Sequence, residues 1–251
     1  MAHTEPDIAE LFAPLPPAKA SRVVLSEARQ VLAHIRQPVD AELWGSDMIG
    51  AVSRHTAAGD RDAVMAELAV SLVPAAERDA TPEALALLRI LAAIGSPELQ
   101  AAAAKAAERV ARQGVTDPDW AAVIGSPAVG RCWHYSDVGG RQESLTVSFG
   151  YGPAEHALSV LIDHGRGGKI RDAWVDDAAG LLDKTWLAAE TDPLILFEEI
   201  QPADAHARLA RAVAAGECAV KPDEVDSLTA HRALLHARSR YLAANEAGTA
   251  G

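Results

Sequence analysis

Between Cys132 and Val175 apolar and polar residues alternate with a period of two, β-branched residues are frequent, and glycine-rich breaks divide the run into four short stretches. That pattern predicts four strands joined in order as an antiparallel meander. Gly139-Gly140, between CWHYSDV and RQESLTVSF, supplies two residues able to take positive φ at no steric cost, as a two-residue primed turn requires. Such a turn sets Val138 opposite Arg141, His134 opposite Leu145 and Trp133 opposite Thr146. Pairing Phe149 with His156 across the second break keeps Val147 opposite Leu158 and Leu145 opposite Val160. Apolar then meets apolar across both hairpins, and a slip of one residue would reverse every side chain. The third break, Gly165 to Gly168, closes in more than one way; Ile162 opposite Arg171 brings Ala173 and Val175 to the apolar side.

This register sorts the side chains onto two faces. Cys132, His134, Leu145, Val147 and Phe149 share one with His156, Leu158, Val160 and Ile162, and helices are expected to cover it. The other bears Trp133, Tyr135, Ser144, Thr146 and Ser148, then Ser159, Asp163, Asp172 and Trp174. Trp133, Thr146, Ser159 and Trp174 fall in one row across it, flanked by Tyr135 and Asp172.

The rest of the chain reads as helix. Val24, Ala28, Val31 and Ile35 recur at helical spacing within Ser21–Arg36, with Pro38 as a stop. A short helix over Asp7–Phe12, one from about Asp40 to His55 weakened by Gly45 and Gly50, and one from Asp60 to Leu72 ended by Pro74 complete the early part. Thr81-Pro82-Glu83 and Ser96-Pro97-Glu98 each place a capping hydroxyl, a proline at the first helical position and an acid in the first turn. The two helices end at Gly95 and Gly114 and abut, which predicts an antiparallel hairpin in a helical bundle rather than a repeat array. Trp120 is expected to anchor the connection to the sheet. Beyond the sheet, Asp177 caps a helix from Ala178 to Ala189, Pro202 starts another that ends at Gly216, and Pro222 starts the last, reaching Leu242 before a frayed tail. Residues 194–200, LILFEEI, fit a fifth strand or a helical turn. The expected fold is therefore α+β: a mainly helical region over residues 1–125, then a four- or five-stranded antiparallel meander with C-terminal helices packed on one face over residues 126–251.

Composition narrows the class. The chain has 251 residues, of which 49% are apolar, enough for a packed core in one or two domains. Two cysteines, Cys132 and Cys218, do not make a disulfide framework, and the N-terminus lacks the basic start and apolar core of a signal peptide, so a cytoplasmic protein is expected. The net charge of −12 is spread evenly, with 17 acids against 11 bases in residues 1–125 and 18 against 12 in the rest. Such a chain repels phosphate backbones and anionic lipid, so neither nucleic acid nor a membrane is an expected partner.

Candidate chemistry is sparse. Nine histidines invite a metal site, yet His156 and His164 lie eight residues apart on one strand, roughly 27 Å, and no HExxH or Cys/His cluster occurs, so no metal or cofactor is implied. The turn His164-Gly165-Arg166-Gly167-Gly168-Lys169 has the glycines and bases of an anion loop but no following helix. No GxSxG occurs, and Cys132 on the buried face is expected to be inert. The second sheet face has the composition of a recognition surface: Trp133, Tyr135, Thr146, Ser159, Asp172 and Trp174 combine rigid apolar area with polar groups that orient a partner. The expectation is a non-catalytic binding or interaction protein whose partner is another protein or a second copy of the chain; a covering helix would instead make these residues core. The alternative is an enzyme with acid/base residues Asp163, His164 and Asp172 near the third turn.

Overall fold

The computed structural model describes residues 17–54, 61–218 and 227–249. The chain divides into two compact units, Met1–Ala121 and Ala122–Gly251. The helix expected over Asp7–Phe12 and the start expected at Pro222 lie outside the described residues.

Unit 1 is helical. α1 (Pro17–Val31) runs into a 3₁₀ turn, and α2 spans Pro38–Arg54, its first residue being the proline expected to end the helix before it. α3 (Arg61–Glu67) does not stop at Pro74. A π-helical stretch, Leu68–Leu72, leads into α4 (Val73–Asp79) with Pro74 in its first turn, where a residue without an N–H costs no hydrogen bond. α5 (Pro82–Ile94) and α6 (Pro97–Ala111) begin as expected: Thr81 Oγ1 accepts from the Ala84 N–H at 3.2 Å, and Ser96 Oγ from the Leu99 N–H at 3.3 Å. α5 is apolar almost all round and forms the centre of this unit, with Leu85, Leu87, Leu88, Ile90, Leu91 and Ile94 fully buried. Gly45 does not weaken α2. It admits α5, since a Cβ built there would lie 2.2 Å from Ile90 Cγ2. Trp120 is buried, as an anchor should be.

Unit 2 is built on one antiparallel sheet of five strands, in the order β4-β3-β2-β1-β5. The strands are β1 (Ala128–Asp137), β2 (Gln142–Tyr151), β3 (Ala154–Asp163), β4 (Lys169–Asp177) and β5 (Ile195–Ile200). LILFEEI is therefore an edge strand, paired with β1. The pairs His134↔Leu145, Trp133↔Thr146, Phe149↔His156, Val147↔Leu158 and Val160↔Ala173 follow the expected register. Two turns differ from expectation. β1 ends at Asp137 and β2 starts at Gln142, so the first connection is four residues long; its bond runs from the Gly140 N–H to the Asp137 carbonyl, and of the two glycines only Gly140 has positive φ. The register survives because the longer connection is symmetric about the same diglycine. At the third turn Ile162 pairs with Ile170, not Arg171, because a bulge after Leu161 takes up one residue.

Three helices follow. α7 (Ala178–Thr191) is capped by Asp177, whose Oδ2 accepts from the Gly180 N–H at 2.8 Å. α8 spans Pro202–Ala215 and α9 Ser227–Thr249, so the tail expected to fray is helical to Thr249. α8 and α9 cover the apolar face, where Ala205, Leu209, Leu228 and Leu235 meet Leu145, Phe149 and Val160 in one cluster. α7 lies against the other face, so the fold is α+β with helices on both sides of the sheet.

Candidate functional site

Alternation along each strand sends every second side chain to the face that α7 crosses. Trp133, Tyr135 and Asp137 arrive from β1, Ser144 and Thr146 from β2, Ser159 and Leu161 from β3, Trp174 from β4, and Ile195 and Phe197 from β5. Leu181 and Thr185 of α7 close over them, and a cavity of about 480 Å³ remains between helix and sheet. The floor is polar: Thr146 Oγ1 and Ser159 Oγ share a hydrogen bond of 2.8 Å across the β2–β3 pair. The walls are aromatic. Trp133 is only 5% exposed, and the Arg131 guanidinium lies 5.4 Å from its ring centroid. That guanidinium is held by Glu199 through two bonds, of 2.9 and 2.5 Å. Phe197 packs edge-to-face on Trp186, centroids 5.8 Å apart. At the rim Asp137 Oδ1 accepts from the Arg141 N–H at 3.2 Å.

The structure thus gathers Trp133, Tyr135, Thr146, Ser159 and Trp174 around one space. Asp172 does not join them: its Oδ1 accepts from the Ser227 hydroxyl at the start of α9 and from the Ala173 N–H. The bulge after Leu161 shifts this end of β4 relative to β3. Reading the strands alone also missed Phe197 and Leu181, because β5 and α7 reach the sheet only in three dimensions. Asp137 carried a signal, being in step with Trp133 and Tyr135.

Asp163, His164 and Asp172 answer to different partners. Asp163 Oδ2 lies 3.6 Å from Arg166 Nε, and His164 Nε2 lies 3.4 Å from Glu143 Oε1. Glu143 is the residue sequence reasoning passed over here. It is buried on the face that α8 and α9 cover, in step with Leu145, where its Oε2 accepts from Arg208 Nη1 at 2.9 Å and lies 3.0 Å from His134 Nε2. These partners, His134 foremost, hold its carboxyl below the usual range against the opposing effect of burial. The glycine turn and Arg208 and Arg211 of α8 enclose a second cavity of about 590 Å³ beside it.

The apolar face holds a further unusual group. His156 is buried and stacks between Phe149 and Tyr151, each centroid 6.0 Å away, and its Nε2 has no hydrogen-bond partner among the described residues. Arg238, 1% exposed, lays its guanidinium over the Phe149 and Tyr151 rings at 5.0 and 5.8 Å. Burial first, and the Arg238 charge second, push the His156 pKa down to about 4. Cys132 is buried as expected, which with the nearby Glu199 charge pushes its thiol up to about 11. Among the described residues no three His, Cys, Asp or Glu side chains group as metal ligands, and no helix is long and apolar enough to cross a membrane. No family model, curated protein or solved structure matches the chain.

Proposed function

We propose that unit 2 is a non-catalytic binding module that encloses a small organic molecule between its second sheet face and α7. The observation that supports this is the convergence of Trp133, Tyr135, Trp174 and Phe197 on a space of about 480 Å³ with a hydroxyl floor. Ligand cavities commonly measure roughly 300–1,000 Å³ and pair mostly apolar walls with a few polar groups. The neutral dye N-phenyl-1-naphthylamine tests the reading, because it fluoresces only when shielded from water. The expected result is one bound dye per chain, and loss of binding in Ser144→Phe, which fills the space from a half-buried position while the circular dichroism of the fold is kept. A dye that stays dark with the wild-type protein overturns the reading.

A second reading, association with a copy of itself, draws on the edge of the sheet. The outer side of β4 is occupied: Cys218 N–H donates to the Ile170 carbonyl, and Ile170 N–H to that of Gly216. Among the described residues β5 pairs with β1 alone, and Leu194 and Leu196 at this end of the sheet, with Trp186 and Leu187 of α7, are 61%, 52%, 55% and 61% exposed. An open strand edge complements its own copy when the two run antiparallel. On this reading light scattering gives twice the chain mass of 26.4 kDa for the wild type and the single mass for Leu196→Glu. A wild-type value of 26.4 kDa retires it. The acid/base alternative at the third turn has less support, since Asp163, His164 and Asp172 do not converge on one space.

A further inference from the structure

We infer that the ligand of the aromatic cavity is an organic cation, one carrying a substituted ammonium group; this rests on the binding-module reading above. Two carboxylate residues, Asp137 and Glu143, line the cavity, and among the described side chains neither lysine, arginine nor histidine does. The carboxylate of Glu143 is turned to the opposite face, where Arg208 and His134 meet it. That of Asp137 stays at the rim, where it accepts from the Arg141 backbone N–H. The Arg131 guanidinium, 5.4 Å from the Trp133 ring centroid, is held by Glu199 in a two-bond pair beside a neighbouring cavity.

Three consequences follow from elementary electrostatics. Trp133, Tyr135, Trp174 and Phe197 line the space, and an aromatic ring whose face borders it attracts a cation and repels an anion. The Asp137 charge adds a directed attraction at one end, in a setting partly shielded from water. The overall charge of −12 raises the local concentration of cations near the whole molecule. Among the described side chains that line the space an anion meets no positive partner, and a neutral ligand leaves the Asp137 charge without a counterpart. A substituted ammonium suits the cavity better than a metal ion, because it presents an apolar surface to the rings and does not require several oxygen ligands.

The test compares molecules of one shape and different charge: choline, its neutral carbon isostere 3,3-dimethylbutan-1-ol, and the anion 3,3-dimethylbutanoate. Each is titrated into the full chain while the indole N–H resonances of Trp133 and Trp174 are followed by NMR. Choline is expected to bind at least about tenfold more tightly than the alcohol, and the acid not at all. Asp137→Asn keeps the acceptor for the Arg141 N–H and removes the charge, and should bring choline down to the level of the alcohol. The NMR spectrum of that variant without ligand, matching the wild type at the Trp133 and Trp174 indole N–H resonances, shows that the cavity is intact. Equal affinity for choline and the alcohol in the wild type, with the dye bound, overturns the cation inference and leaves the cavity reading standing. Failure of the dye and of all three molecules to bind overturns both. An advantage for choline that persists in Asp137→Asn overturns the assignment of the charge to Asp137.

Discussion

Lowering the pH from 7 to 4.5 is expected to weaken unit 2 by about 2.5 kcal/mol through His156 alone, and His156→Phe should remove that loss. In the fold the imidazole sits between two aromatic rings beside the Arg238 guanidinium, which holds its pKa down to about 4 against an ordinary 6.5. Between those values the unfolded chain binds a proton that the folded chain does not. Stability is therefore whole above about pH 6.5, falls by up to ~1.4 kcal/mol per pH unit below it, and levels off once the pH passes the folded value. Glu143 acts in a separate window: its folded pKa is lowered, so its contribution is present above the ordinary carboxylate value and is lost only as the pH falls further. Urea midpoints by circular dichroism at pH 7, 6, 5 and 4.5 should slope downward for the wild type and lie flat for His156→Phe. Phenylalanine keeps the stacking and removes a buried ring nitrogen that has no partner, so the variant should be at least as stable as the wild type at pH 7. An unchanged slope in His156→Phe would mean that the acid sensitivity arises elsewhere.

How much of this was legible from the residues varied with the range of the interaction concerned. The register of the first three strands was readable because alternation and glycine position agreed: moving β2 by one residue would expose Leu145, Val147 and Phe149 together. The caps at Thr81 and Ser96 were readable because a cap is a contact over three residues. Pro74 misled because a proline's missing N–H matters only if the helix asks for it there, and the π-helical stretch before it changes which residues bond. The diglycine gave the right pairing from a turn that is not the one formed, since one positive φ at Gly140 suffices when the connection has four residues. The site was half visible. The row from Trp133 to Trp174 followed from register, while its lid and end wall, Leu181 and Phe197, come from segments whose place depends on tertiary packing. Glu143 was a signal left unread: a charged residue in step with a core face must be matched by partners, and Arg208 and His134 are those partners.

Gly45→Ala is expected to destabilise unit 1 by about 2–3 kcal/mol, although alanine is the better helix former by about 1 kcal/mol at an unconstrained site. The sign follows from the packing of α2 on α5. The new methyl carbon would stand 2.2 Å from Ile90 Cγ2 and 3.1 Å from Ile94 Cδ1, and both isoleucines are fully buried. The nearer atom is a branch methyl of a β-branched side chain on a helix, where one χ1 rotamer dominates, so it cannot swing away cheaply. Either the helices separate, losing contact along α5, or Ile90 leaves its rotamer. A double-mutant cycle isolates the cause. Ile90→Ala alone should cost roughly 2–5 kcal/mol as a large-to-small change in a packed core. In that background Gly45→Ala should become neutral or stabilising, because the methyl enters the space vacated and the helix propensity of alanine is then expressed. Urea denaturation of the four proteins gives the coupling directly. Additive costs, or a neutral Gly45→Ala in the presence of Ile90, would show that α2 and α5 do not approach as closely as the glycine permits.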